Sequence, residues 1–321
     1  MPRTVRAGVR AAGRAPSVHN TQPWRWVFDG TRLHLFRDDS RWLAATDPHA
    51  RQLVISCGAA LHHARTAFAD AGWHTDTSRL PDPARPDHLA AITFRPWPDP
   101  PPGIADRATA IDRRRTDRLP LLPPPRQADL VHRARLLVQP HDLELHLLGE
   151  DARDRLAEVS AHDTAAHRYD MAYQSELHWW TGHSAEAGGV PAQSLASAEE
   201  FARVGVGRAL PSRASSTRRA DLADRSSLLV ISSPADAPET WLRTGDALSA
   251  VLLECTAQGL AICPLTHITE PPTGRRTIAE LLPHTTVPQI VLRVGVSPLT
   301  APPPPRTPRR PVEEILEIRT G

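Results

Sequence analysis

Trp24-Arg25-Trp26-Val27-Phe28-Asp29-Gly30-Thr31-Arg32-Leu33-His34-Leu35 sets apolar side chains at Trp24, Trp26 and Phe28, breaks at Asp29-Gly30, and resumes the alternation at Leu33 and Leu35. Alternation places every second side chain on one face of a strand and Asp-Gly is a tight-turn signal, so the stretch predicts an antiparallel hairpin. From Pro48 the period changes. Leu53, Cys57, Ala60, Leu61, Ala64, Ala67 and Phe68 recur at three and four residues between the start signal Asp47-Pro48 and the stop Gly72, which predicts a core-facing helix. A short strand at 89–94 closes this half as an α+β unit.

The later sequence repeats that order in outline. Ala247, Leu248, Val251, Leu252 and Cys255 form a helical stripe that stops at Gly259, and a strand at 288–296 follows. The helix ends Ala71-Gly72-Trp73 and Gln258-Gly259-Leu260 are analogous. The expected fold class is therefore α+β, with two tandem related units packed on one another. Of the proline-rich stretches 96–103, 120–125 and 302–305, the first is the natural join, which divides the chain into 1–104 and 105–321. The second half carries additional parts: one long helical stripe through Leu156, Val159, Tyr169, Tyr173, Leu177 and Trp180, a strand at 226–233, and a last short helix at 311–318. Residues 181–220 are rich in Gly, Ser, Ala and Arg without sustained periodicity, and read as a mobile loop or lid with Gly188-Gly189, Gly205 and Gly207 as hinges.

Composition narrows the function. The 321 residues carry 38 cations, all of them Arg, against 36 acidic residues, so a net charge of +2 argues against a dedicated nucleic-acid binder. The 33 prolines are roughly twice the usual share of about 5%, so an abundance of Arg or Pro says little by itself. No run approaches the ~18 apolar residues of a membrane span and no apolar targeting segment opens the chain, so a cytoplasmic protein is expected. Cys57, Cys255 and Cys263 are scattered, without a Cys-x-x-Cys pair, and read as core residues or free thiols.

Four segments could carry chemistry. Ala15-Pro16-Ser17-Val18-His19-Asn20-Thr21-Gln22-Pro23-Trp24 offers neutral donors and acceptors suited to an amide-like ligand edge, or is an ordinary turn entering a strand. Arg113-Arg114-Arg115-Thr116-Asp117-Arg118 could hold a phosphate through guanidinium forks, or is a solvated charge run. Arg306, Arg309 and Arg310 precede the last helix as a third basic cluster. Gly259-Leu260-Ala261-Ile262-Cys263-Pro264-Leu265-Thr266-His267 reads locally as a buried connection.

Taken in order, these segments resemble one family, the FMN-dependent nitroreductases, and within it the double-length Acg-like branch. The resemblance rests on the 15–24 segment, Arg114-Arg115-Thr116-Asp117-Arg118, the stretch 245–264, and Pro288-Gln289-Ile290-Val291 through Arg309-Arg310-Pro311-Val312-Glu313-Glu314-Ile315. It implies an intramolecular pseudo-dimer, with one complete flavin site per chain and a monomeric protein. By that resemblance Arg114, Thr116 and Arg118 would hold the FMN phosphate and ring edge, Arg309 would back the phosphate, and Ser17 and Asn20 would reach across from the first half. The backbone at Leu265, Thr266 and His267 would face N5, and Arg218 would stand where the family often has Asn.

The implied activity is hydride transfer from NAD(P)H through flavin N5 to a nitroaromatic- or quinone-like acceptor. No side chain is assigned a catalytic acid–base role, because the chemistry belongs to the cofactor. The same branch implies an alternative, a protein that sequesters FMN beneath a closed lid with little turnover. A third reading, nucleic-acid binding through Arg113–Arg118 and Arg213–Arg219, has no recognisable motif behind it. No metal is expected: His141, His146, His162, His167, His178 and His183 show no metal-ligand spacing with acidic partners, and His62-His63 belong to a core helix.

Overall fold

The computed structural model describes residues 1–182, 188–211, 216–299 and 306–319. The proline stretch 302–305 and two parts of the expected lid, 183–187 and 212–215, lie outside the described residues. In chain order the first unit comprises α1 (Pro2–Ala12), β1 (Trp24–Phe28), β2 (Leu33–Arg37), α2 (Arg51–Asp70), β3 (Trp73–Arg79) and β4 (His88–Pro96). The second comprises α3 (Ile104–Arg113), α4 (Gln127–Val138), β5 (Glu144–Leu147), α5 (Ala152–Ala166), α6 (Met171–Trp180), α7 (Ala198–Val204), β6 (Ser227–Ser233), α8 (Pro238–Ala257), β7 (Ala261–Leu265), α9 (Pro272–Glu280) and β8 (Val287–Gly295). Last come α10 (Val312–Ile315) and β9 (Leu316–Ile318).

The hairpin forms as the alternation predicts, with Trp26 opposite Leu35 and Phe28 opposite Leu33. Its apolar face is fully buried: Trp24, Trp26, Leu33 and Leu35 are all 0% exposed. The first sheet runs β3-β4-β2-β1-β9 and the second β7-β8-β6-β5, so four strands recur in the same spatial order with antiparallel pairing throughout. The fold is α+β, two tandem related units packed as an intramolecular pseudo-dimer. α3 begins at Ile104, beside the division the prolines suggest.

The helices α2 and α8 cross between the units. Gly58 and Gly245, each the same number of residues before a helix-ending glycine (Gly72, Gly259), meet at the crossing, where a Cβ on Gly245 would stand 2.7 Å from the Gly58 Cα. Around it each helix lends a side chain to the other's core. Leu242 of α8 packs among Trp24, Leu53 and Leu61, and Ile55 of α2 among Leu229, Leu248 and Ile290. His62 and His63 both contact Ser249 Oγ across the same boundary, at 2.8 and 2.7 Å.

Three elements depart from the sequence reading. The stripe from Leu156 to Trp180 is two helices, α5 and α6, because Asp170 accepts from the Ala172 and Tyr173 amides and starts a new helix. The expected last helix at 311–318 is helical for one turn only. Residues 316–318 become β9, parallel to β1 in the register Trp26↔Leu316, so the chain's far end completes the first unit's sheet. Within 181–220 the described residues include α7, whose start is a capping box between Ser197 and Glu200.

Candidate functional site

A cavity of about 310 Å³ opens between the units, at the lower end of the range ligand pockets take. The first unit contributes Pro16, Ser17, Val18 and His19 with Gln52, Ile55 and Ser56 of α2. From the second come Thr116, Arg118, Leu248, residues 263–267, Ile290 and Arg293. Residues 196–198, 201, 204 and 206–210 cover it from the α7 side.

The loop between α1 and β1 reaches the cavity in an unusual backbone. His19, Asn20 and Gln22 all have positive φ (49°, 59° and 54°), a region that costs a non-glycine residue on the order of 1–3 kcal/mol and that clusters at functional sites. Side-chain bonds hold it there. The Gln22 amide donates to Ser17 Oγ at 2.9 Å, and Asn20 Nδ2 donates to the carbonyls of Gly189 (2.9 Å) and Pro308 (3.0 Å).

Two buried polar groups of the wall lack partners among the described residues: both atoms of the Gln52 amide, and His19 Nε2. A buried donor or acceptor without a bond costs about 1–3 kcal/mol, so these atoms mark where a polar ligand edge would bond. Burial, with Arg208 and Arg118 nearby, holds the His19 imidazole well below its ordinary range, and burial does the same to His267, which meets Ser160 Oγ at 3.0 Å. Both rings are thus neutral near pH 7. Burial pushes the Cys263 thiol up, keeping it protonated. The described lining residues include Arg118, Arg208 and Arg293; Arg208 pairs with Glu270 and Arg293 with Asp224, so Arg118 is the lining arginine without a salt bridge among the described residues.

A second feature lies beside the cavity in the chain. Arg14 precedes Pro16 by two residues, Arg114 precedes Thr116 by two, and Arg309 comes to both: the Arg14 carbonyl accepts from Arg114 (3.5 Å) and from Arg309 (3.3 Å). Arg114 is buried and Arg309 partly buried, and the Nε of each lacks a partner among the described residues. Burial, with Arg115 and Arg14 beside it, brings the Arg114 guanidinium down to about 10, still charged at neutral pH. Burial and the surrounding arginines hold Arg309 well below its ordinary range. Among the described residues the acidic side chain paired with this group is Asp112, which meets Arg14 at 2.7 Å and is 69% exposed. Like charges gathered largely out of water with so little compensation could be offset by an anion.

Of the residues the sequence nominated, Ser17, Thr116, Arg118, Leu265, Thr266 and His267 line the cavity. Asn20, Arg114 and Arg309 are not among the lining residues; they belong to the arginine cluster, where Arg309 donates to Asn20 Oδ1 at 2.8 Å. Arg218 stands apart from both. Glu200 of α7 takes its guanidinium at 2.8 Å and the Leu195 carbonyl accepts from it at 2.6 Å, so it supports the covering segment.

The sequence is 43% identical over 317 residues to the "Putative NAD(P)H nitroreductase acg" of Mycobacterium tuberculosis, covering 98% of this chain and 96% of that one. The chain belongs to the Acg-like nitroreductases. Another M. tuberculosis protein named as an NAD(P)H nitroreductase is 38% identical over 319 residues, covering 98% of this chain and 91% of its own. A nitroreductase crystal structure from Anabaena variabilis aligns over 88% of this chain and 82% of its own at TM-score 0.48 and 10% identity. No protein-family model matches the chain. It is an oxidoreductase by family, and no helix among its described residues is long and apolar enough to cross a membrane.

For a nitroreductase site the sequence reading missed Gln52, His19, Arg293 and the cover residue Phe201. Two of these were signalled. Arg51-Gln52 is a polar pair opening a helix that is otherwise apolar inside, and Arg293 interrupts the run Val291-Leu292-Arg293-Val294 on a buried strand. Its charge is answered by Asp224 at 2.5 Å.

Proposed function

We propose that this nitroreductase binds one FMN per chain, with its phosphate at Arg114 and Arg309 and its ring in the cavity between the units. The observation that carries the reading is the pair of buried guanidinium Nε atoms, on Arg114 and Arg309, without a partner among the described residues. The donor set suits the group: fixed cations for a phosphate, and an amide with free donor and acceptor, Gln52, for a pyrimidine-like edge. When bound, FMN supplies a two-electron relay that takes hydride at N5 from NAD(P)H and passes the electrons to a nitroaromatic- or quinone-like acceptor.

The chain's own residues do the rest. Arg114 and Arg309 anchor the phosphate, and Thr116, Arg118, Ser17 and Asn20 fix the ligand between the units. Residues 265–267 present backbone to it, and the Arg118 guanidinium favours added negative charge. The neutral His19 and His267 are poised as hydrogen-bonding groups. Because both walls come from one chain, the working form is a monomer.

Steady-state oxidation of NADPH or NADH by the flavin-loaded protein, with menadione or nitrofurazone as acceptor, tests the activity, and turnover is expected. A second reading, storage of FMN without turnover, is favoured by the cover over the cavity, where Ser197, Ser216 and Arg218 all donate to the Glu200 carboxylate. Full flavin occupancy with no acceptor-dependent NAD(P)H oxidation would select it.

A further inference from the structure

The edge strand β5 carries a side-chain cluster far in sequence from the flavin reading. Glu144 and His146 are two residues apart, so the pleat directs both to one face of the sheet. The connection between α9 and β8 brings His284 to the same place. Glu144 Oε2 lies 2.7 Å from His284 Nε2 and 3.1 Å from His146 Nε2, and all three ligand atoms fall within 4.8 Å of one another. The two imidazoles do not stack; they meet edge-on at 70° with centroids 5.6 Å apart, both turned toward the shared carboxylate.

A hydrogen-bonded triad alone leaves this arrangement incomplete. The His146 side chain is 12% exposed, and its Nε2, although close to Glu144, has no aligned hydrogen-bond partner among the described residues. From bond lengths of about 2.0–2.2 Å, neighbouring ligands of a tetrahedral zinc ion stand about 3.3–3.6 Å apart, so the 2.7 and 3.1 Å from Glu144 to the two histidines would widen by a few tenths of an ångström or more to admit the ion.

We propose that Glu144, His146 and His284 form a binding site for a divalent transition-metal ion of the zinc class, with at least one coordination position open to solvent. Two imidazoles and one carboxylate select zinc, cobalt, nickel or copper over magnesium and calcium. The ion would clasp edge strand β5 to the α9–β8 connection across β6. None of the three residues lines the cavity, so the site stands or falls independently of flavin binding.

The test uses the untagged full-length protein, stripped of metal by a chelator and titrated with Co²⁺ while its visible d–d absorption is followed, then with Zn²⁺ in competition. One saturable equivalent that Zn²⁺ displaces is expected, together with a zinc-dependent rise in Tm. Loss of a group that merely orients a ligand costs about 10–100-fold in metal affinity, so His284→Ala and Glu144→Gln, both at exposed positions, are each expected to cost at least about tenfold. His178→Ala, an exposed histidine elsewhere, is expected to leave the titration unchanged. Absence of saturable binding, or affinity retained in both His284→Ala and Glu144→Gln, would overturn the proposal.

Discussion

Gly58 of α2 and Gly245 of α8 touch backbone to backbone where the two units cross, and a Cβ on either would collide with the facing main chain. A Cβ on Gly58 would overlap the Leu242 carbonyl oxygen, and one on Gly245 the Ile55 carbonyl oxygen. The contact brings the two helices close enough for Ile55 and Leu242 to exchange cores and for one cavity to have walls from both units.

Gly58→Ala and Gly245→Ala are therefore expected to destabilise the whole chain, by about 1–3 kcal/mol each, the usual cost of forcing extra atoms into a packed interior. Urea unfolding measures this. Unchanged midpoints in both variants would mean that the crossing is not closely packed.

The arginine cluster separates binding from folding. On the proposed reading Arg114→Ala and Arg309→Ala would each remove a charge-assisted phosphate contact worth roughly 1.5–3 kcal/mol, so FMN affinity should fall about 10–150-fold. Each also removes one cation from a group of like charges, so the apoprotein should be as stable as the parent or more so. Isothermal titration with FMN and thermal unfolding of the apoprotein read the two effects separately. A fall in apoprotein Tm with unchanged FMN affinity would make the cluster structural.

Acid should release the cover through Glu200. Burial opposes its ionisation, yet the bonds from Arg218, Ser197 and Ser216 bring its carboxyl down to about 2 from an ordinary 4.5. A carboxyl depressed in the folded state contributes stability that is complete above its unfolded value and lost as pH falls toward the folded one. The stability difference between the parent and Glu200→Gln should thus be full near neutral pH and shrink between about pH 4.5 and about pH 2. Urea unfolding across that range checks it; a difference independent of pH would contradict the pairing.

Pseudo-symmetry suggests a second cavity, and an ion pair stands where it would open. β3 is the counterpart of β7, and at its end Arg79 meets Asp246 of α8 at 2.5 Å, with Asp246 wholly buried. Removing one partner of a buried pair typically costs about 3–5 kcal/mol, so Asp246→Ala should be strongly destabilised, while the more conservative Asp246→Asn should fold and still bind one FMN. Two equivalents bound by the parent chain would show that the pair does not fill the second position.

What could be read from the residues divides along the range of the interactions. The hairpin and the helix Arg51–Asp70 were legible because Trp24, Trp26, Leu53 and Phe68 announce their faces within a few residues. β5 and β7 were not, being four and five residues long, with Pro264 inside β7. Nor was β9, which is a strand because β1 lies beside it almost 300 positions earlier. The same distinction holds for the site. Thr116 and Arg118 sit in a motif, whereas Gln52 and Arg293 reach the cavity from a helix and a strand whose sequences speak mainly of core. Arg218 was nominated from its place ahead of β6, but Glu200, on a helix of seven residues, determines where its guanidinium goes.

The most direct test is a titration of the metal-free, flavin-free full-length chain with FMN, followed by gel filtration with in-line light scattering and visible absorption. The account predicts one FMN retained per chain on a particle of monomer mass. A chain that retains no FMN, or that retains it only as a dimer with one flavin for two chains, would contradict a site completed by the two units of a single molecule.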